Sequence, residues 1–209
     1  MGSEEATHGE PTAHLPSLRT YIPSVDLRVW TIGHSTRTLA EFVSVLEAHE
    51  IEVVVDVRRF PGSRRLPQFG SAALETALAG HRIAYQWLPT LGGRRKPLPN
   101  SVNSGWRNES FRGYADHVAT EEFATGLTEL LTIAPGMRTA IMCAELLWWR
   151  CHRRVISDVL TSLAVTVLHI RDEAVAEAHE ITPPARLVNG VLSYAADSSP
   201  AEQLGRTLA

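Results

Sequence analysis

Cysteine is almost missing from this chain, with two in 209 residues, which is too few for a disulfide framework and points away from a small secreted scaffold. Lysine is scarcer still: Lys96 is the one cationic side chain of twenty that is not arginine. No apolar run approaches the roughly eighteen residues that a membrane-spanning helix needs. The first residues lack a basic stretch leading into an apolar core, so no export signal is read and a cytoplasmic protein without a membrane partner is expected. Charge excess is missing too. A net charge of −3 and a pI of about 6.3 exclude a uniformly basic particle that would bind nucleic acid without selection. Internal repeats and low-complexity tracts are not found.

What is present is a regular alternation. Val29-Trp30-Thr31-Ile32, Val53-Val54-Val55-Asp56-Val57, Ile83 to Leu88, Arg138 to Met142 and Val165 to Ile170 read as strands. Helical segments separate them: Thr38 onward with a Thr-x-x-Glu capping box, Ala72 to Ala79, a long helix from Phe111 to Ile133, and Cys151 to Leu163. The fold class expected is α/β, a single three-layer domain with a mostly parallel sheet of about five strands. Residues 1–26 are polar and aperiodic and are expected to be a flexible leader. Residues 27–172 form the domain and 173–209 an extension packed on it or partly frayed. Within that extension Arg171 to Glu180 is expected to be a short helix, and Val188-Asn189-Gly190-Val191 a tight turn between extended pieces.

Charge is unevenly placed. Between Val57 and Arg112 stand ten Lys/Arg against two acids, Glu75 and Glu109, and arginine forks suit phosphate or carboxylate. Two long loops lie within this stretch, from Arg58 to Gly70 and from Pro89 to Ser110. Loops of that length at strand ends commonly carry function.

Three segments concentrate reactive groups where ligands sit in open α/β sheets, at the carboxyl ends of strands. Gly33-His34-Ser35-Thr36-Arg37 closes the first strand, with His34 for proton transfer and Ser35 and Arg37 as polar contacts. Asp56-Val57-Arg58 leaves the second and leads to Arg64 and Arg65, in a loop whose phenylalanines suit base stacking. Cys143-Ala144-Glu145 leaves the fourth, and Cys151-His152-Arg153 opens the next helix. The Cys-x7-Cys-His spacing is not that of a zinc site, so neither metal nor other cofactor is expected.

These motifs, together with Pro61, Ser63, Pro67, Phe69 and the Leu91-Gly92-Gly93 turn, resemble the bacterial family called domain of unknown function 488, over about Arg28 to Ile170. The resemblance implies a compact α/β domain whose motifs line one site. It implies no settled reaction.

Three functions are compatible with the residues. The first is an enzyme acting on a nucleotide or nucleic acid at a glycosidic or phosphate-linked centre. Glu145 and Asp56 would then act as acid/base or nucleophile, His34 would transfer a proton, and Arg58, Arg64, Arg65, His152 and Arg153 would hold the anion. The second is an anion-binding module without turnover. The third is a thiol-dependent enzyme or redox sensor using Cys151. Glu145, beside Leu146, Leu147, Trp148 and Trp149, is expected to be partly desolvated and to carry the reaction. Cys151 is expected only to support it, because no third group in the sequence is placed to orient His152 as its base.

Overall fold

The unbroken β-branched run at Val53 demands apolar cover on both sides, and the sheet supplies it. The computed structural model describes residues 26–62 and 64–196. Most of the expected leader, the terminal residues expected to fray, and Ser63 lie outside the described residues. Strands β1 (Arg28–Gly33), β2 (Val53–Asp56), β3 (Ala84–Trp87), β4 (Thr139–Cys143) and β5 (Thr166–Ile170) run parallel in the order β3-β2-β4-β1-β5. Helices α1 (Leu39–Ala48) and α2 (Ser71–Gly80) pack on one face around Ile32, Val54 and Met142. Helices α3 (Glu109–Val118), α4 (Glu121–Ile133) and α5 (Arg153–Ser162) pack on the other around Val29, Val55 and Ile141. The result is the expected three-layer α/β fold. The capping box at α1 forms as read, with Thr38 N–H donating to the Glu41 carboxylate at 2.7 Å and Glu41 N–H to Thr38 Oγ1 at 3.2 Å.

Three expectations are corrected. The helix expected over Phe111 to Ile133 is two helices, because Thr120 turns the chain: its hydroxyl donates to the His117 carbonyl at 2.7 Å and accepts from Phe123 N–H at 3.2 Å, capping α4. Residues expected as a short helix after Ile170 instead hold a sixth strand, β6 (Ala176–Ala178), antiparallel to β5. It covers an edge that would otherwise present unpaired backbone groups. The last helix starts at Arg153 rather than Cys151, after a 3-10 turn at Trp148–Arg150. The tight turn at Asn189-Gly190 joins β7 (Arg186–Val188) to β8 (Val191–Ser193), both turn residues having positive φ.

The site is positioned where β1, β2 and β4 end side by side. His34 N–H donates to the Cys143 carbonyl at 3.0 Å and Ser35 N–H to the Ala144 carbonyl at 2.9 Å, so the turn after β1 grips the turn after β4. Gly33 permits this approach. A Cβ there would come within 2.7 Å of the Glu145 carbonyl carbon and 2.9 Å of Leu146 Cα, both backbone atoms. Gly33→Ala is expected to cost about 1–3 kcal/mol through overpacking, read as a lower denaturant midpoint at unchanged m-value. A wild-type midpoint would mean that the Glu145 turn yields freely.

Candidate functional site

A carboxylate delivered by a buried strand needs a partner, and Asp56 has three. Arg58 donates to it through Nε at 2.9 Å and Nη2 at 2.6 Å, its own backbone N–H adds a bond of 3.0 Å, and the Tyr85 hydroxyl donates at 2.7 Å. Arg58 also donates to the Phe69 carbonyl at 2.8 Å and to His34 Nε2 at 3.2 Å. His34 must then carry its proton on Nδ1, which donates to the Ser35 carbonyl at 2.9 Å. The ring stacks on Phe69 at 4.1 Å. Burial, followed by the charge of Arg58, pushes His34 down to about 4, so it is neutral. Asp56 and His34 thus brace the floor of the site and are not among the residues lining its cleft.

Beside this brace the two cysteines meet. Cys143, at the end of β4, and Cys151, just before α5, are free thiols with their sulfurs 2.8 Å apart. His152 Nε2 donates to the Val57 carbonyl at 2.9 Å, which leaves Nδ1 unprotonated and 3.4 Å from the Cys151 sulfur. The orienting group for His152 is therefore a backbone carbonyl. No side-chain reading of the sequence could have found it, although Gly93 carries a trace: a Cβ there would press on the His152 ring, 2.9 Å from Nδ1.

Arg153 completes the arrangement from below. It is 1% exposed, its guanidinium donates to Thr31 Oγ1 at 3.1 Å and to the Glu145 carbonyl at 2.5 Å, and no carboxylate among the described residues pairs with it directly. Burial opposes ionisation of Cys151, but the hydrogen bond from Cys143, the charge of Arg153 and its backbone N–H at the start of α5 outweigh burial and bring the thiol down to about 6. Cys143 is pushed up, first by its hydrogen bond to Cys151 and then by burial. Burial also pushes His152 down, so the imidazole stays neutral and able to accept a proton.

Above the sulfurs opens a cleft of about 390 Å³. Glu145, Arg59, Arg94 and Arg150 line it with the aromatic rings of Phe60 and Phe111. Glu145 is exposed, and Leu146 and Trp149 beside it turn outward at 47% and 39% exposure; the desolvation expected for this carboxylate does not occur. Its carboxylate has no hydrogen-bond partner among the described residues. The first turn of α3 also reaches the cleft through Asn108 and Ser110. Besides Arg58, which lines the cleft but is paired with Asp56, two helix starts and three arginines therefore address one volume, a field that favours anions.

The remaining expected residues sit elsewhere. Arg64 and Arg65 are exposed on the loop after β2 and do not line the cleft. Arg37 donates to the carbonyls of Gly33 and Arg171 and faces a separate open depression with Glu41 and Asp172. Ser35 is used through its backbone, at a positive φ of 50°.

Cys143, Cys151 and His152 place three donor atoms within 4.8 Å of one another. The 2.8 Å between the sulfurs is shorter than the roughly 3.8 Å that two thiolates keep around a tetrahedral ion at about 2.3 Å each. The arrangement suits proton sharing between sulfurs better than a shared metal.

Comparison with curated proteins and comparison with solved structures each gave no match. The family described as Domain of unknown function DUF488 matches residues 38–160, more than half of the chain, from the capping threonine of α1 to Leu160 in α5. That span includes the Asp56-Val57-Arg58 brace, both cysteines, His152 and Arg153, and the chain belongs to the DUF488 family.

Proposed function

We propose that this chain is an enzyme that uses Cys151 as a nucleophile on a phosphate-bearing substrate, a nucleotide or a segment of nucleic acid. One observation carries this reading: Cys151 Sγ, His152 Nδ1 and the Val57 carbonyl stand in a line of nucleophile, base and orienter at the floor of a cationic cleft. The paired-carboxylate reading is less well supported, because Asp56 is fully committed to Arg58 and Tyr85. Glu145 keeps a role in the proposal as the free carboxylate facing the cleft.

In this mechanism the sulfur forms a bond to the electrophilic centre as the bond to the leaving group breaks. Any proton on the thiol passes to His152 Nδ1 and from there to the leaving group. Glu145 then takes a proton from the water, or other acceptor, that displaces the sulfur and frees the thiolate. Arg59, Arg94 and Arg150 hold the phosphate, and Phe60 and Phe111 offer faces to a base.

A second reading, an anion-binding module without turnover, is favoured by one fact: none of those three arginines has a carboxylate partner among the described residues. The thiol separates the two readings. Alkylation of Cys151 by iodoacetamide, followed by mass spectrometry, is expected to rise with pH through a midpoint of about 6, because the thiolate is the reactive form. A midpoint in the ordinary range of about 8.5 would remove the activated nucleophile.

Binding of a short single-stranded oligonucleotide or of ADP, followed by fluorescence anisotropy or calorimetry, is expected to weaken as salt rises. Arg94→Ala and Arg150→Ala should weaken it further, while Arg64→Ala leaves it unchanged. On a substrate that turns over, Cys151→Ser should cost about a thousandfold or more in kcat. Glu145→Gln should cost about a hundredfold and leave the alkylation midpoint where it was. Turnover by the serine variant at the wild-type rate would return the chemistry to Glu145.

A further inference from the structure

Arg153 raises a problem that its immediate neighbours do not solve. A guanidinium 1% exposed, with no carboxylate in contact among the described residues, is costly to bury unless its charge is answered somewhere. Its Nε–H is buried without an acceptor in hydrogen-bond geometry among the described residues. Following its bonds outward gives the answer.

Arg153 Nη1 donates to Thr31 Oγ1 at 3.1 Å. Thr31 and His169 are register partners on β1 and β5, and their side chains meet with Oγ1 2.8 Å from Nδ1. His169 Nε2 lies 3.0 Å from His179 Nδ1, and His179 Nε2 lies 2.8 Å from Asp158 Oδ1. The Tyr194 hydroxyl donates to the other oxygen of Asp158 at 3.0 Å. Thr31, His169 and Asp158 are at most 1% exposed, Tyr194 3% and His179 7%. The chain leaves α5 at Arg153, crosses two strands, and returns to the same helix at Asp158.

Only one direction satisfies every group. A guanidinium can only donate, so Thr31 oxygen accepts from Arg153 and its single hydrogen goes to His169 Nδ1. His169 then carries its proton on Nε2 and donates to His179 Nδ1, and His179 donates from Nε2 to Asp158. The reverse order would aim two donors at the Thr31 oxygen and leave its own hydrogen without an acceptor among the described residues. Burial, with the neighbouring His179 and Arg153, pushes His169 down to about 2, so it does not take a second proton. Trp148 stacks on His169 at 4.0 Å and donates to Glu177 at 2.8 Å, which holds the ring in plane.

We infer that Thr31, His169, His179 and Asp158 are positioning residues for Cys151, forming a polarised relay that answers the charge of Arg153 from a distance and fixes its guanidinium beneath the sulfur. Because Asp158 does not touch the guanidinium, the charge of Arg153 remains available to a thiolate. A directly paired carboxylate would have spent it. This inference rests on the thiol reading for its consequence but not for its geometry, and the two can be tested apart.

In the full-length protein, long-range proton–nitrogen NMR correlations of the histidine rings are expected to show His169 and His179 each protonated on Nε2 and bare on Nδ1. The opposite tautomer at either ring overturns the relay. Iodoacetamide alkylation of Cys151 across pH is then compared among variants, with the other groups around the sulfur and its cleft unchanged: Cys143 from β4, Tyr114 from α3, His152, and Arg58, Glu145 and Arg150. Thr31→Val, which keeps the shape and removes the hydroxyl, is expected to raise the midpoint by on the order of one pH unit, whereas Thr31→Ser retains it. Equal midpoints in wild type and Thr31→Val would overturn the positioning role. Tautomers as assigned, with an ordinary midpoint near 8.5 in the wild type, would support the relay while sinking the thiol reading.

Discussion

The interior placement of the Arg153 guanidinium is the constraint around which the site is arranged. Its Nη2 donates to the carbonyls of Glu145 and Leu146, at 2.5 and 3.3 Å, so the connection from β4 to α5 has to wrap around the cation rather than run directly. That wrapping carries the backbone of Glu145 against Gly33, where no side chain fits. It turns the Glu145 carboxylate outward to the cleft, and it returns the chain to place Cys151 against Cys143. Moving the cation would release all of these at once, because the carbonyls it satisfies would then be buried and unpaired.

The domain holds a second buried arginine and treats it differently. Arg58 is 7% exposed and meets its carboxylate directly in a pair that Tyr85 completes. This is a closed structure with no charge left over, and its use is mechanical: it pins His34 in one neutral tautomer and carries the loop that leads to Phe69. Among the described residues Arg153 has no such partner in contact, and its field falls on the sulfurs. The same residue type thus serves as a brace in one place and as a source of potential in the other, and distance to the carboxylate decides which.

Much of this was legible in the sequence where hydrophobic period and caps carry the signal. The five parallel strands, the capping box at Thr38 and the Asn189-Gly190 turn all follow from local rules, and the gathering of motifs at strand ends follows from the topology they imply. What was not legible depends on backbone or on distant pairs. The Val57 carbonyl that orients His152 has no residue identity to read. Asp158, His179 and Tyr194 stand on separate elements with no common spacing. The strand at Ala176–Ala178 is three residues long, too short for alternation to show. The break between α3 and α4 was present in the sequence as Thr120 followed by acidic residues, a start signal masked by apolar periodicity on both sides. The desolvation expected of Glu145 does not occur because an apolar neighbour in sequence need not cover a side chain in space.

The close approach of the two sulfurs divides one kind of residue into two roles. They sit 2.8 Å apart, near enough that a single proton between them favours one thiol and one thiolate over two of either. Position decides the assignment. Cys143 ends a strand, where its sulfur accepts only a weak contact from Glu145 N–H at 3.3 Å, whereas Cys151 stands at the start of a ten-residue helix over a buried guanidinium, and both favour its negative charge. Cys143 is thereby made a donor to its neighbour, and its own ionisation is suppressed by the bond that promotes the other's. A lone cysteine at the same helix start would have burial working against it without that donor. The pair, and not the motif Cys151-His152 by itself, is what makes a thiolate affordable at the floor of this cleft.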